Sequence, residues 1–355
     1  MNRIKHNFFY LLGLELFFFS FLFSQTTLSK QDQEAALDKS DREIAENSEK
    51  IKEFYELGKD EEWREITDKV LASSDTSEES KKSIRTFHRR IFVFKYPSDN
   101  LWIKGFISFT PNPNYHPLLL LYRWGNENFA LMNPGIIFAT YKDYTVISST
   151  LRGGVSEGKD EFGGEDVNDI KNLIDFIPQL AQKLGIQLNP SCVFMLGPSR
   201  GGLEMFLTLS RFPELQKRVN KVVALSAILD LHQLINDRPK DMKRMFENQF
   251  GLSGGVNGNN WIAKRNPLNT VSFIRQSLPI LVIQGTADNR INLAEGRHMV
   301  NALKQNKNQV HYWEIPQGNH ALTNHPYIMN EIAQWLESDS PCMSIHLPRN
   351  KNKRH

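Results

Sequence analysis

Residues 192–202 read CVFMLGPSRGG, and the reading of this stretch decides the fold. CVFML is a short, unbroken apolar run of the kind found in strands covered on both faces. Gly197-Pro198-Ser199-Arg200-Gly201 then matches G-x-S-x-G, Gly202 adds a second glycine, and LEMFLTLSRF behind it has a helical texture. Three fixed positions recur by chance; a strand before them and a helix after them give the match its meaning. The reason is steric. A sharp strand-to-helix turn pushes the serine side chain outward, and glycines beside it let the turn close without Cβ clashes. The serine also sits at a helix N-terminus, where developing negative charge is favoured.

Working outward, VNKVVALSA, PILVIQGTAD and VHYWEIPQGNH read as strands around the helix LAEGRHMVNALKQN, and the helix MNEIAQWLES closes the series. Upstream, PLLLLYRWG (residues 117–125) and YTVISSTLRGG are strands, and a helix spans about 165–184. RRIFVFKYPSDNLWIKGFISFTPN reads as two strands joined by a turn at Pro97–Asn100. Such alternation predicts an α/β fold, a mostly parallel sheet with helices on both faces. The alternation stops over about 230–276, which reads as a helical insertion before the acid-bearing strand. Residues 25–87 are charged and read as one or two helices, with Ile44, Ile51, Phe54, Tyr55 and Leu57 on one face, then Trp63, Ile66, Val70 and Leu71.

The ends carry a different message. Arg3 and Lys5 precede FFYLLGLELFFFSFLF, Phe8 to Phe23, and the chain turns polar at once. That pattern describes an export signal over residues 1–24, with a cut between Ser24 and Gln25, or a retained signal anchor. Glu15 inside the run and a length short of a full span favour the cleaved form. The expectation is a periplasmic or secreted protein, or one anchored by this segment. Residues 338–355 form a basic tail read as flexible. Of the two cysteines, Cys192 reads as a small buried thiol and Cys342 lies in the tail; a bridge between them would need an oxidising compartment. With 40% apolar and 23% charged residues and a net charge of +3, the 355-residue chain is neither a disordered polymer nor a nucleic-acid surface.

A nucleophilic serine needs a base and a group that holds the base. Asp288 follows ILVIQ in GTAD and His320 follows VHYWEIP in QGNH, both at the C-terminal ends of strands, where open α/β sheets place their sites. Ser199, Asp288, His320 is also the chain order this fold requires. Asp230 is a weaker candidate acid. The tetrahedral intermediate needs amide donors: the N–H of Arg200, and a second from the turn Arg123–Asn126, read as Arg123 or Trp124. Tyr122, Arg152, Glu204 and Trp261 are candidate pocket residues, Glu204 reading more readily as a surface ion pair and Trp261 equally as core. No H-E-x-x-H is present, and no G-x-G-x-x-G follows a strand, so neither a metal nor a nucleotide cofactor is expected.

On the stretches YPSDNLWIKGFISFTP, LRGGVSEGKDEFGGEDVNDI, GPSRGG, GTAD and GNH, residues 88–337 resemble the catalytic domain of the prolyl oligopeptidase family within the α/β-hydrolase superfamily. The resemblance implies a nucleophile at Ser199, an acid at Asp288 and a base at His320. It departs in two places. The family's histidine or tyrosine followed by glycines, after the third strand, is here Tyr122-Arg123-Trp124-Gly125, and the residues before 88 are too few for the large members' β-propeller. The function expected is a serine hydrolase acting through an acyl-enzyme on an ester or a short peptide, leaning to a peptidase. A carboxylesterase of the same fold, or a non-enzymatic binding protein built on it, are the alternatives. Membrane contact is expected only through a retained N-terminal segment.

Overall fold

The computed structural model describes residues 30–111, 116–136, 141–252 and 256–340. The Phe-rich segment read as a signal or anchor, and the tail from residue 341 with Cys342, lie outside these. Among the described residues no helix is long and apolar enough to cross a membrane.

Among the described residues, nine strands build one sheet: β1 (Trp63–Glu65), β2 (Arg90–Ser98), β3 (Leu101–Phe109), β4 (His116–Leu121), β5 (Thr145–Ser149), β6 (Leu188–Pro198), β7 (Val219–Leu225), β8 (Ile280–Gly285) and β9 (Val310–Ile315). Their order is β1-β2-β3-β5-β4-β6-β7-β8-β9. The first three pairings are antiparallel, and every pairing from β5 to β9 is parallel. The hairpin turn falls between Ser98 and Leu101, as the sequence predicts.

The apolar runs of the central strands are two-faced for a simple reason: successive side chains point to opposite faces, and both faces are covered. Leu118 and Leu120 of β4, Val193 and Met195 of β6, and Ile280 and Val282 of β8 join one core. Leu119 and Leu121, Phe194 and Leu196, and Leu281 and Ile283 join the other. Helices α4 (Asp166–Leu184), α5 (Arg200–Arg211) and α9 (Leu293–Gln305) cover the first face, through Ile170, Ile174, Met205, Leu209, Met299 and Leu303. The second face is covered by α10 (Ile328–Glu337), through Ile332 and Leu336, and by the N-terminal segment, through Ile51, Phe54, Tyr55, Val70 and Ile84. This is an α/β-hydrolase fold.

The N-terminal segment runs as α1 (Lys30–Ile51), a 3₁₀ turn to Tyr55, β1, α2 (Thr67–Ala72) and α3 (Glu78–Thr86). Trp63 therefore does not share a helical face with Ile66, Val70 and Leu71. It lies in the edge strand β1 opposite Phe94, remains 41% exposed, and meets Phe92 edge-on at 5.8 Å. A three-residue strand is too short for its alternation to show against a helical pattern. Tyr55 ties the segment down, donating its hydroxyl to the Met132 carbonyl at 2.6 Å. The reading of Cys192 as a free thiol also needs correction: it is buried, and it is disulfide-bonded.

In the stretch after β7 the chain forms α6 (Leu231–Asp237), α7 (Arg244–Phe250) and α8 (Val256–Arg265). Phe246 and Leu234 pack there with Phe162, Leu203 and Leu207 in a third core. Glu295 of α9 fastens the start of this stretch, accepting from the amides of Leu229 and Asp230, both at 3.0 Å. Burial is what pushes the Glu295 carboxyl up to about 8, against the pull of those two amides.

Two outcomes follow from this packing. Ile51→Ala should lower stability by about 2–5 kcal/mol, in a single transition of the whole chain followed by urea denaturation, because Ile51 is fully buried in a core shared with the sheet. Separate melting of the N-terminal segment would contradict the shared core. Glu295 stays protonated in the fold at pH values where the unfolded chain has released its proton. Its contribution is therefore complete below about pH 4.5 and lost as pH rises through about 8. Glu295→Gln should flatten the fall in urea midpoint over that window.

Candidate active site

Ser199 sits between the end of β6 and the start of α5, with φ 51° and ψ −123°. A non-glycine residue with positive φ costs about 1–3 kcal/mol and persists only when its surroundings hold it. Three bonds do so. The Ser199 amide donates to the Leu225 carbonyl at 2.9 Å, and the Ser199 carbonyl accepts from Ile228 at 3.0 Å and Gly202 at 3.1 Å. Gly201 is required by close approach, since a Cβ there would lie 2.8 Å from both the Arg123 carbonyl and the Tyr122 Cβ. The elbow is thereby packed directly on the turn after β4.

Ser199, His320 and Asp288 are hydrogen-bonded in series. His320 Nε2 lies 3.2 Å from Ser199 Oγ, and its Nδ1 lies 2.9 Å from Asp288 Oδ2 and 3.1 Å from Oδ1. The carboxylate is aimed by Gln284 Nε2 at the end of β8, at 2.8 Å, and by amides of its own loop, Arg290 at 2.8 Å and Ile291 at 3.0 Å. The loops after β8 and β9 reach each other across Gly285, where a Cβ would meet the Gly318 carbonyl at 2.1 Å. An imidazole whose Nδ1–H is held by a buried carboxylate presents Nε2 as an acceptor for a hydroxyl proton. Asp230 takes no part: it caps α6, accepts from Asn266 Nδ2 at 3.2 Å and faces His298 Nδ1 at 3.3 Å.

Ser199 and His320 open into a cavity of about 390 Å³ with mostly apolar walls, including Trp124, Phe162, Met242 and Met245. Trp124 thus stands at the site, and so do residues that the sequence left unassigned. Asp41 and Ile44 of α1 line the cavity, as does Arg290, two residues beyond Asp288. Arg290 Nη2 meets Asp41 Oδ1 at 2.5 Å, so the N-terminal helix is pinned to the loop that carries Asp288. The spacing Asp288-Asn289-Arg290 was visible in the sequence; its partner 249 residues earlier was not.

The other candidates stand off the cavity. Arg123 is buried and turned inward, donating to the carbonyls of Thr150 at 2.5 Å and Phe129 at 3.1 Å, and burial pulls its guanidinium down to about 10. The Tyr122 hydroxyl meets Met195 Sδ at 3.7 Å, on the far side of the sheet. Arg152 pairs with Asp169 at 2.8 Å and Asp99 at 2.6 Å. Trp261 packs with Phe250 at 5.1 Å and under Arg265 at 4.0 Å.

Glu204 is no surface ion pair. It is fully buried with Arg200, Asp160 and Asp166. Arg200 donates to Asp160 Oδ2 at 2.6 Å, Asp166 Oδ2 at 2.7 Å and Glu204 Oε1 at 2.8 Å, and lies 4.6 Å above the Phe162 ring. Burial disfavours the charge on Arg200, but the three carboxylates outweigh it and hold the guanidinium well above its usual range. The i,i+4 spacing of Arg200 and Glu204 signalled this pair; Asp160 and Asp166 come from the glycine-rich stretch quoted above. Among the described residues no group of three or more His, Cys, Asp or Glu side chains is arranged to hold a metal ion.

The comparisons agree with this architecture. The uncharacterized peptidase YtmA of Bacillus subtilis is 23% identical over 255 residues, covering 71% of this chain and 95% of that protein. The dipeptidyl aminopeptidase BIII of Pseudoxanthomonas mexicana is 28% identical over 211 residues, but the match spans only 28% of its length against 57% of this chain. Among solved structures, the acylaminoacyl peptidase of Pyrococcus horikoshii superposes with a TM-score of 0.54 at 17% identity, over 69% of this chain and 40% of that one. Oligopeptidase B of Leishmania major gives 0.55 at 15% identity, over 70% and 37%. These likenesses share the fold, and the model of the prolyl oligopeptidase family matches residues 135–338. That match covers more than half of the chain and takes in the elbow and both loops around it, and on it the chain belongs to the prolyl oligopeptidase family of serine peptidases.

Proposed function

We propose that this protein is a serine hydrolase that cleaves a peptide or ester bond through an acyl-enzyme on Ser199, with a small peptide as the favoured substrate. The observation that carries the reading is the hydrogen-bonded series Ser199–His320–Asp288, opening on an apolar cavity. Ser199 Oγ attacks the carbonyl carbon while its proton passes to His320 Nε2, and Asp288 holds the Nδ1–H of the imidazolium. The oxyanion is received by the Arg200 amide, first in α5 and so without an intrahelical acceptor, and by an amide of the turn carrying Trp124. His320 returns the proton to the leaving amine or alcohol. Water then attacks the acyl-enzyme, giving a proton to His320, and the acid leaves as Ser199 regains its own.

Membership of a peptidase family, and the peptidase names of the relatives, support an amide substrate. The apolar walls support an uncharged side chain beside the scissile carbonyl. Export is part of the same proposal: the disulfide at Cys192 belongs to an oxidising compartment.

Ser199→Ala should abolish both labelling by a fluorophosphonate and acyl transfer while the fold persists by circular dichroism; retained labelling sinks the assignment. Asp288→Asn, which leaves the wrong tautomer on His320, should lower kcat by about 10⁴-fold. A kinetic panel of short-acyl esters against blocked and free peptide amides separates the substrates. Amide turnover comparable to ester turnover is expected; ester turnover alone would identify a carboxylesterase.

A further inference from the structure

The buried Arg200 cluster is larger than an elbow requires. Arg200 Nη1 donates to the Gly125 carbonyl at 3.1 Å, one residue after Trp124. Asp160 Oδ2, which receives the same Nη1, also accepts the Glu127 amide at 3.0 Å, and Asp160 Oδ1 accepts Phe162 N at 2.9 Å. One guanidinium therefore reaches the turn after β4 both directly and through Asp160, while its own backbone amide begins α5. We propose that Arg200 is a positioning residue whose side chain fixes the Trp124–Glu127 turn against the start of α5, so that two amide donors hold one spacing around the oxyanion. This rests on the reading of Ser199 as nucleophile.

Buried ion pairs are weak devices for stability, because desolvation offsets the attraction, but they hold geometry when every donor is engaged. Here Nε, Nη1 and Nη2 of Arg200 are all engaged. The acidic side is less complete. Asp166 and Glu204 converge on the same Nη2, and their outer oxygens, Asp166 Oδ1 and Glu204 Oε2, have no hydrogen-bond partner among the described residues. Two carboxylates sharing one nitrogen do not both ionise readily. Burial first, then Asp166, push Glu204 up to about 8. The groups facing Glu204 are Arg200, Asp160 and Asp166, with Arg123 from the end of β4, Arg265 from α8 and the Tyr122 phenol. Below that pH Glu204 is neutral. Above it, a further negative charge appears on Glu204, one helical turn beyond the Arg200 amide, and opposes an oxyanion there.

The test uses the full chain with Arg200→Lys and Asp160→Asn. Lysine keeps the charge and loses the fork; asparagine keeps the shape, removes the negative charge facing Nη1 and turns one of the two accepting oxygens into a donor. For each, kcat and KM on an ester and the rate of fluorophosphonate labelling are measured on folded protein. Both variants should lower kcat and labelling together, Arg200→Lys by about 100-fold, with KM within about 3-fold of wild type. Lowered thermal stability with kcat per folded molecule within about 3-fold of wild type would overturn the inference. Where Arg200→Lys fails to fold, Asp160→Asn decides by the same criterion. The wild-type kcat should also decline through about pH 8, and Glu204→Gln should remove that decline. A wild-type profile flat there, or an equal decline in the variant, overturns the coupling. Failure of the wild-type chain to label overturns the reading of Ser199; a labelled wild type with unaffected variants overturns only this inference.

Discussion

A single residue held at φ 51° sets the rest of the site. Ser199 occupies a backbone region that L-residues avoid, and its peptide groups are spent on Leu225, Ile228 and Gly202 to keep it there. With those groups engaged, the side chain meets His320 Nε2 and α5 begins at the next residue. The loops after β8 and β9 need only deliver a carboxylate and an imidazole to that fixed point. They do so from two parallel strands in register, Gly285 lying opposite Ile315, and so the series from Asp288 to Ser199 is short.

The N-terminal segment belongs to this economy as well. The sheet's second face is covered by α10 and by residues 51–84, so the segment closes a core shared with the central strands. Its first helix continues to the cavity, where Asp41 meets Arg290 and Ile44 adds an apolar wall. The same loop therefore orients Asp288 through its amides and grips α1 through a side chain. The cavity onto which Ser199 opens is thus lined both by α1, through Asp41 and Ile44, and by Met242 and Met245 from the stretch after β7.

Much of this was legible in the sequence because it is local. Unbroken apolar runs, the glycines around Ser199, and Asp288 and His320 at strand ends are statements about a few neighbouring residues, and each stands where strand–helix alternation placed it. Trp63 was misplaced because three residues of strand cannot display a period against the helices beside them. Glu204 reads as a surface group because a charged residue one turn into a helix is usually solvated; its burial depends on Asp160 and Asp166, 44 and 38 positions away. Arg123 presented the same difficulty in reverse: its place in the turn was readable, whereas its inward direction is set by the carbonyls of Thr150 and Phe129.

The ionic cluster also bears on why such a chain keeps charge in its interior. Arg200 and Glu204 share one helical face in a helix that also buries Leu203, Met205, Phe206, Leu207 and Leu209, and apolar residues of similar volume would serve stability at least as well. What apolar packing lacks is direction. A guanidinium is planar, and its N–H groups leave at fixed angles, so Asp160, Asp166, Glu204 and the Gly125 carbonyl define its plane and its rotation together. Sliding the turn after β4 along α5 would break the Gly125 carbonyl's bond to Arg200 and the Glu127 amide's bond to Asp160, leaving buried polar groups unpaired, whereas an apolar contact would yield gradually. The turn after β4 and the start of α5 are held together by this steeper restraint, with a Glu204 carboxyl that burial first, then Asp166, push up to about 8 as the accompanying cost.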